Sequence, residues 1–150
     1  MKAGTADLTF SIDAISLPVS DLDRALLFYV DRVGFRLDDD YAPNEGFRVV
    51  RLTPPGSNCS IQIGKGLSNA LTGAFRNNDL VVRDLEAARD RLLERGVEVG
   101  PIRHRNPSGA WNGSFAAGLD PERADHASSA DFLDPDGNRW VLQERGYWRS

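Results

Sequence analysis

Cysteine is almost missing from the chain. Cys59 is the only one in 150 residues, which excludes an internal disulfide and any zinc site built from several cysteines. Histidine is nearly as scarce, with His104 and His126 alone. Lysine is scarce too, at two residues against sixteen arginines, and we read that ratio as the codon bias of a GC-rich bacterial genome. No run approaches the ~18 apolar residues of a membrane span. The opening MKAGTADLTF has no long apolar stretch of the secretory kind, so a cytoplasmic location is expected. A basic excess is also lacking. The net charge is −4 and the pI about 5.1, against a nucleic-acid partner, and no membrane partner is expected either. Phosphate loops, nucleotide fingerprints and nucleophile motifs are absent. Cys59 sits in an apolar strand pattern and reads as an inert thiol.

What is present is ordinary for a globular protein: 41% hydrophobic and 27% charged residues, with a mean hydropathy of −0.39. The length fits a single domain over residues 1–150, long enough to fold without a staple. Its organising feature is a repeat. Val19-Ser20-Asp21-Leu22-Asp23-Arg24-Ala25 returns 63 positions later as Val82-Arg83-Asp84-Leu85-Glu86-Ala87-Ala88. Asp21 and Asp84 suit helix N-caps, and each is preceded by a strand-like segment, Ile12–Val19 and Asp79–Val82. Leu22, Ala25, Leu26 and Tyr29 recur at helical spacing, as do Leu85, Ala88, Leu92 and Leu93. Gly34 and Gly96 stand where a left-handed cap is expected.

A strand follows each helix, marked by Phe35 and Leu37 in the first half and by Val97 and Val99 in the second. Each half then closes with a hairpin. The first joins Phe47–Leu52 to Cys59–Ile63 through Thr53-Pro54-Pro55-Gly56-Ser57-Asn58. The second joins Ser128–Phe132 to Arg139–Gln143 through Asp134-Pro135-Asp136-Gly137-Asn138. The expected fold is therefore α+β: two βαβββ modules, about 10–70 and 73–145, linked by GKGLSNALT. They are expected to form a curved mixed sheet with a central trough and helices outside, eight main strands in all.

The segments VSDLDRALLFY, VRDLEAARDRLLERGVEV and DFLDPDGNRWVLQE resemble the vicinal oxygen chelate superfamily: glyoxalase I, bleomycin-resistance proteins, fosfomycin-modifying enzymes and extradiol dioxygenases. The likeness runs from about Ile12 to Glu144. It implies a trough in which catalytic members hold a divalent metal through His, Glu or Gln on the first and last strands of each module. Carried over by position, those places fall on Ala14, Ser60 or Gln62, Asn77 and Val141. Alanine and valine cannot bind a metal, so no metal and no cofactor are expected.

Strand alternation puts Ala14, Ser16, Ser60 and Gln62 on the trough face of the first module. It puts Asn77, Asp79, Val141 and Gln143 on that of the second. The stretch from His104 to His126 reads as a long loop bearing Trp111 and Phe115, either a lid over a ligand or a packing element. Tyr41, Phe47 and Trp140 read as sheet or core residues. The candidate ligand-binding set is thus Ser16, Ser60, Gln62, Asn77, Asp79, His104, Trp111, Phe115 and Gln143. Any acid–base chemistry would fall to Asp79, His104 or Asp131. The resemblance and the missing ligands together favour a metal-independent binder of an aromatic or polyfunctional small molecule, of the natural-product binding or resistance kind. The alternative is a metal-independent isomerase, lyase or cyclase, and a metal-dependent lyase or dioxygenase ranks below both. Strand edges and the terminal Tyr147-Trp148 point to a homodimer.

Overall fold

A computed structural model describes residues 8–65 and 78–149. The repeat appears as two sheets. In the first module, β1 (Ala14–Ser16), β2 (Arg36–Asn44), β3 (Phe47–Thr53) and β4 (Ser60–Lys65) form a mixed sheet in the order β1-β4-β3-β2. In the second, β5 (Asn78–Val82), β6 (Arg103–Asn106), β7 (Ser114–Ala117), β8 (Ser128–Leu133) and β9 (Arg139–Glu144) take the order β5-β9-β8-β6-β7. Each module begins with a parallel pair, β1 on β4 and β5 on β9, and continues antiparallel.

Both crossover helices open as the sequence indicates. Helix α1 (Leu22–Leu26) is capped by the Asp21 carboxylate, which accepts from Arg24 N at 3.1 Å. Helix α2 (Leu85–Glu94) is capped by Asp84, which accepts from Ala87 N at 3.0 Å. Such a cap satisfies an N–H that the first helical turn cannot. Helix α1 departs from expectation by widening into a π-helical stretch, Leu27–Val33, with Gly34 N bonded back to Tyr29 O. Gly34 at φ 94° and Gly96 at φ 84° turn the chain out of the helices in the left-handed region.

Two further departures have clear causes. The His104–His126 stretch is not a structureless loop. Its first part is the hairpin β6–β7, in which Arg105 pairs with Phe115 and Asn106 with Ser114, so the strands number nine among the described residues. Val99 makes only an isolated bridge to Phe132, and the strand expected there starts later, at Arg103.

The modules share one core. Leu17, Phe28, Tyr29, Phe35, Leu52 and Ile63 from the first pack with Leu85, Val97, Phe132, Trp140 and Leu142 from the second. Phe28 lies 6.1 Å from the Phe132 ring, and Tyr29 lies edge-on to Trp140. Tyr29 is fully buried; its hydroxyl donates to Asp134 at 2.6 Å and accepts from Trp140 Nε1 at 2.9 Å. Asn138 Nδ2 donates to Pro18 O, and Arg95 reaches Asp31 O between the helices. The helix of the first module therefore packs on the second sheet as well as on β4. One consequence decides where a site can form. The apolar faces of both sheets turn toward this core, their other faces turn away from it, and among the described residues the two sheets share no strand pairing.

Candidate functional site

The outward face of the first sheet is polar. Register puts Ser16 beside Gln62, Gln62 beside Arg51 and Arg51 beside Asp39. The next row holds Ala14 beside Ser60, whose Oγ lies 2.7 Å from Thr53 Oγ1. Thr53 in turn donates to Asp38. Hydrogen bonds from Arg36 and then Thr53 hold the Asp38 carboxyl below the usual carboxylate range. Arg51 makes a two-pronged ion pair with Asp13, at 2.6 and 3.2 Å, and lowers that carboxyl too. Ser16 and Gln62 thus stand at the open end of this face, while Ser60 is buried in a hydroxyl pair.

The outward face of the second sheet is richer. One row reads Asp79, Val141, Asp131 across β5, β9 and β8. The next reads Val81, Gln143, Ser129, Arg103. The β6–β7 hairpin extends this face with Arg105 and Phe115, and Trp111 sits at its tip. Trp111 and Phe115 have ring centroids 5.2 Å apart and are 42% and 46% exposed. Arg103 lies over the Phe115 ring and Arg105 over the Trp111 ring, at 5.0 and 4.8 Å. Trp111 Nε1 donates to Ser114 O, which fixes the indole on its own hairpin. His126 Nδ1 lies 2.9 Å from Gln143 Oε1 and holds that amide in place. The structure therefore gathers Asp79, Gln143, Phe115, Trp111 and Asp131 on one face.

It places other candidates elsewhere. His104 alternates to the inward side of β6, opposite Ser128 and Ala116, with Nδ1 2.8 Å from Gly118 O. Asn77 lies outside the described residues. Its neighbour Asn78 faces inward beside Trp140, and its Nδ2 is buried with no hydrogen-bond partner among the described residues. That amide borders a cleft of about 250 Å³ between the modules, lined also by Ile15, Leu17, Cys59, Ile61 and Trp140. A larger open hollow, about 910 Å³, lies beside the start of α1 among Asp21, Asp23, Glu45, Arg48 and Lys65, away from both faces. Tyr41 is 55% exposed on β2, whereas Trp140 is in the core. Tyr147 lies under the Arg123 guanidinium at 3.5 Å, and Trp148 is 74% exposed.

Sequence reasoning missed the arginines. Arg103 and Arg139 both bind the Asp131 carboxylate, at 3.0 and 2.5 Å. Both Asp131 oxygens are thus engaged by guanidinium donors on this face. The available signal was the alternation Arg103-His104-Arg105 ahead of Phe115, legible only once that stretch is read as a hairpin.

A model of the Glyoxalase/Bleomycin resistance protein/Dioxygenase superfamily matches residues 11–142. The chain belongs to this superfamily. Among solved structures it is similar to a glyoxalase/bleomycin resistance protein from Streptomyces sp. CB03234. The identity is 30%, over 89% of this chain and 100% of that one, with a TM-score of 0.66. It is also similar to TnmS3, an antibiotic binding protein from the same Streptomyces, at 29% identity over 91% and 97%, TM-score 0.69. A superfamily member from Sphaerobacter thermophilus DSM 20745 matches at 25% identity over 91% and 98%, TM-score 0.67. A comparison with curated protein sequences finds no match. No helix among the described residues is long and apolar enough to cross a membrane.

The metal used by catalytic members of the glyoxalase superfamily does not fit the donors here. Ala14 and Val141 have no donor atom, and Ser60 is committed to Thr53. Among the described residues no three His, Cys, Asp or Glu side chains cluster in a way that holds an ion. No step is routed through a metal.

Proposed function

We propose that this glyoxalase-superfamily chain is a metal-independent binding protein for an aromatic or polyfunctional natural product, of the sequestering or resistance kind. The observation that carries this reading is the outward face of the second sheet. Two aromatic rings in tilted contact stand half-exposed there beside an oriented amide, Gln143, and guanidinium groups laid over them. Aromatic area left to water in this way is stabilised by a planar ligand that covers it, and flanking polar groups orient that ligand. The description of TnmS3 as an antibiotic binding protein supports the same class of ligand.

We propose further that a second copy completes the site. In this arrangement Ser16 and Gln62 of the first module meet the aromatic face of the second across two subunits. Among the described residues β1 and β5 are edge strands, open to pairing. Upstream of β1, Leu8, Phe10 and Ile12 fall at alternate positions and are 63%, 87% and 65% exposed. A partner subunit covering that stripe would remove a large apolar exposure among the described residues.

The test is a thermal-shift screen of the full chain against aromatic natural products and glutathione conjugates, with light scattering at micromolar concentration. The expected result is a stabilising ligand, bound by a particle of about twice the 16.5 kDa chain mass. Trp111→Ala is expected to abolish the shift while leaving the circular dichroism unchanged. A screen without stabilising compounds overturns the binding reading. A monomeric mass with binding intact overturns the shared site. Asp79 is exposed on this same face and makes no ion pair among the described residues. Turnover of a bound compound, lost in Asp79→Asn, would therefore replace the binder by the isomerase, lyase or cyclase reading.

A further inference from the structure

We infer that the ligand of this face is an aromatic anion: a flat ring system carrying a carboxylate, sulfonate or acidic phenolate. This rests on the binding reading above and adds the sign of the ligand's charge, which neither the fold nor the acidic composition supplies. The chain as a whole is negative, but its charge is unevenly placed. Arg103 and Arg105 stand over Phe115 and Trp111, and Arg139 joins Arg103 on the Asp131 carboxylate. Among the described residues Asp131 is the one carboxylate in contact with them. It accepts Nη2 of Arg103 and both Nε and Nη2 of Arg139. The Arg105 guanidinium makes no ion pair and no hydrogen bond among the described residues and lies against the Trp111 ring, while its backbone N–H donates to Ala127 O.

A guanidinium offers five N–H donors in a planar fork. Arg103 spends one on Asp131, and Arg105 spends none among the described residues. Both are partly buried and stacked on rings, so their rotamers are largely fixed before any ligand arrives. Fixed, undercommitted guanidiniums next to open aromatic faces match a ligand whose ring stacks while its anionic group accepts from the fork. The opposing charge is Asp79, which lies beyond Val141 from Asp131 in the same row, two strands away. A cationic ligand would meet Asp79 alone and would have to displace or face three guanidiniums.

The experiment is calorimetric titration of the full chain with anthracene-2-carboxylate and with anthracene-2-carboxamide, which differ little except in charge. The carboxylate is expected to bind at least tenfold more tightly, and the preference to shrink as salt is raised. Arg105→Gln is expected to remove most of that preference while leaving carboxamide binding within about twofold, whereas Trp111→Ala weakens both. Equal affinity for the two compounds overturns the anion assignment and leaves the aromatic-binding reading standing. An undiminished preference in Arg105→Gln also overturns it. Failure of both compounds to bind, with a hit in the natural-product screen, overturns this inference alone.

Discussion

Replacing Tyr29 by phenylalanine removes one oxygen from the point where the two modules are joined. The hydroxyl is fully buried, donates to Asp134 at 2.6 Å and accepts from Trp140 Nε1 at 2.9 Å. Burial, followed by the negative charge of Asp134, pushes its pKa well above the usual tyrosine value, so it remains a donor throughout the accessible pH range. Two costs follow. The indole N–H of Trp140 is left inside the core without an acceptor, at about 1–3 kcal/mol. Asp134 loses one donor but keeps Asn138 N, Asn138 Nδ2 and Asp136 N at 2.8 to 2.9 Å, so its loss falls at the low end. Together these give roughly 3 kcal/mol, which for a chain of this size corresponds to roughly 6–12 °C in Tm. Urea unfolding followed by circular dichroism, at fixed protein concentration, measures it. The double variant Tyr29→Phe/Trp140→Phe is expected to lose less than the sum of the singles, by on the order of 1 kcal/mol, because it strands no N–H. A loss below about 0.5 kcal/mol in Tyr29→Phe would refute the reasoning.

Glu144 is fully buried, pairs with Arg123 at 2.6 and 2.8 Å and accepts from Leu85 N at the start of α2. Glu144→Gln is expected to cost about 3–5 kcal/mol in thermal unfolding, since it leaves the guanidinium charge partly buried and unmatched. At Gly64 an added Cβ would lie 2.0 Å from the Arg48 carbonyl oxygen on the neighbouring strand. Gly64→Ala should therefore lower the urea midpoint by an amount equivalent to about 1–3 kcal/mol, and an unchanged midpoint would disprove that close approach. Arg51, Arg36 and Arg48 hold Asp13, Asp38 and Asp40 below the ordinary value, and the Gly146 N–H does the same for Asp125. Folded pKa values below the unfolded ones mean stability present at higher pH and lost as pH falls through them. Urea midpoints are expected to decline below about pH 4, and a rise there would contradict the ion pairs.

The repeat, the caps and both late hairpins were legible because each rests on local chemistry. An aspartate before a helical period, a glycine after it and a Pro-Gly or Asp-Pro-Asp-Gly turn do not depend on what packs nearby. The disposition of the modules was not legible. A helix with an apolar stripe must bury it, but sequence does not say whether against its own sheet or against both. Here Phe28 and Tyr29 reach the second sheet as well as their own, a choice between pairing arrangements that the sequence leaves open. The site was half legible for the same reason. Gln62, Gln143 and Asp79 followed from alternation along strands whose register the turns had set. His104 did not, because its segment reads in sequence as a loop and a loop assigns no face.

The arginines unite these strands of argument. As a count they are read as compositional bias, and a count does not distinguish a solvated guanidinium from a positioned one. Position does. Most arginines with partners here are matched to a carboxylate, as Arg36, Arg48 and Arg51 are on the first sheet. On the second sheet Arg103 and Arg139 share one carboxylate, and Arg105 has a ring in place of one. An ammonium group would not serve in the same place, because its charge is not planar and does not stack on a ring while keeping a fork of donors free. The bias toward arginine thus supplies the side chain that makes an aromatic hairpin into an anion-accepting surface. The shared core then fixes where that surface points: outward, where the proposed second subunit would meet it.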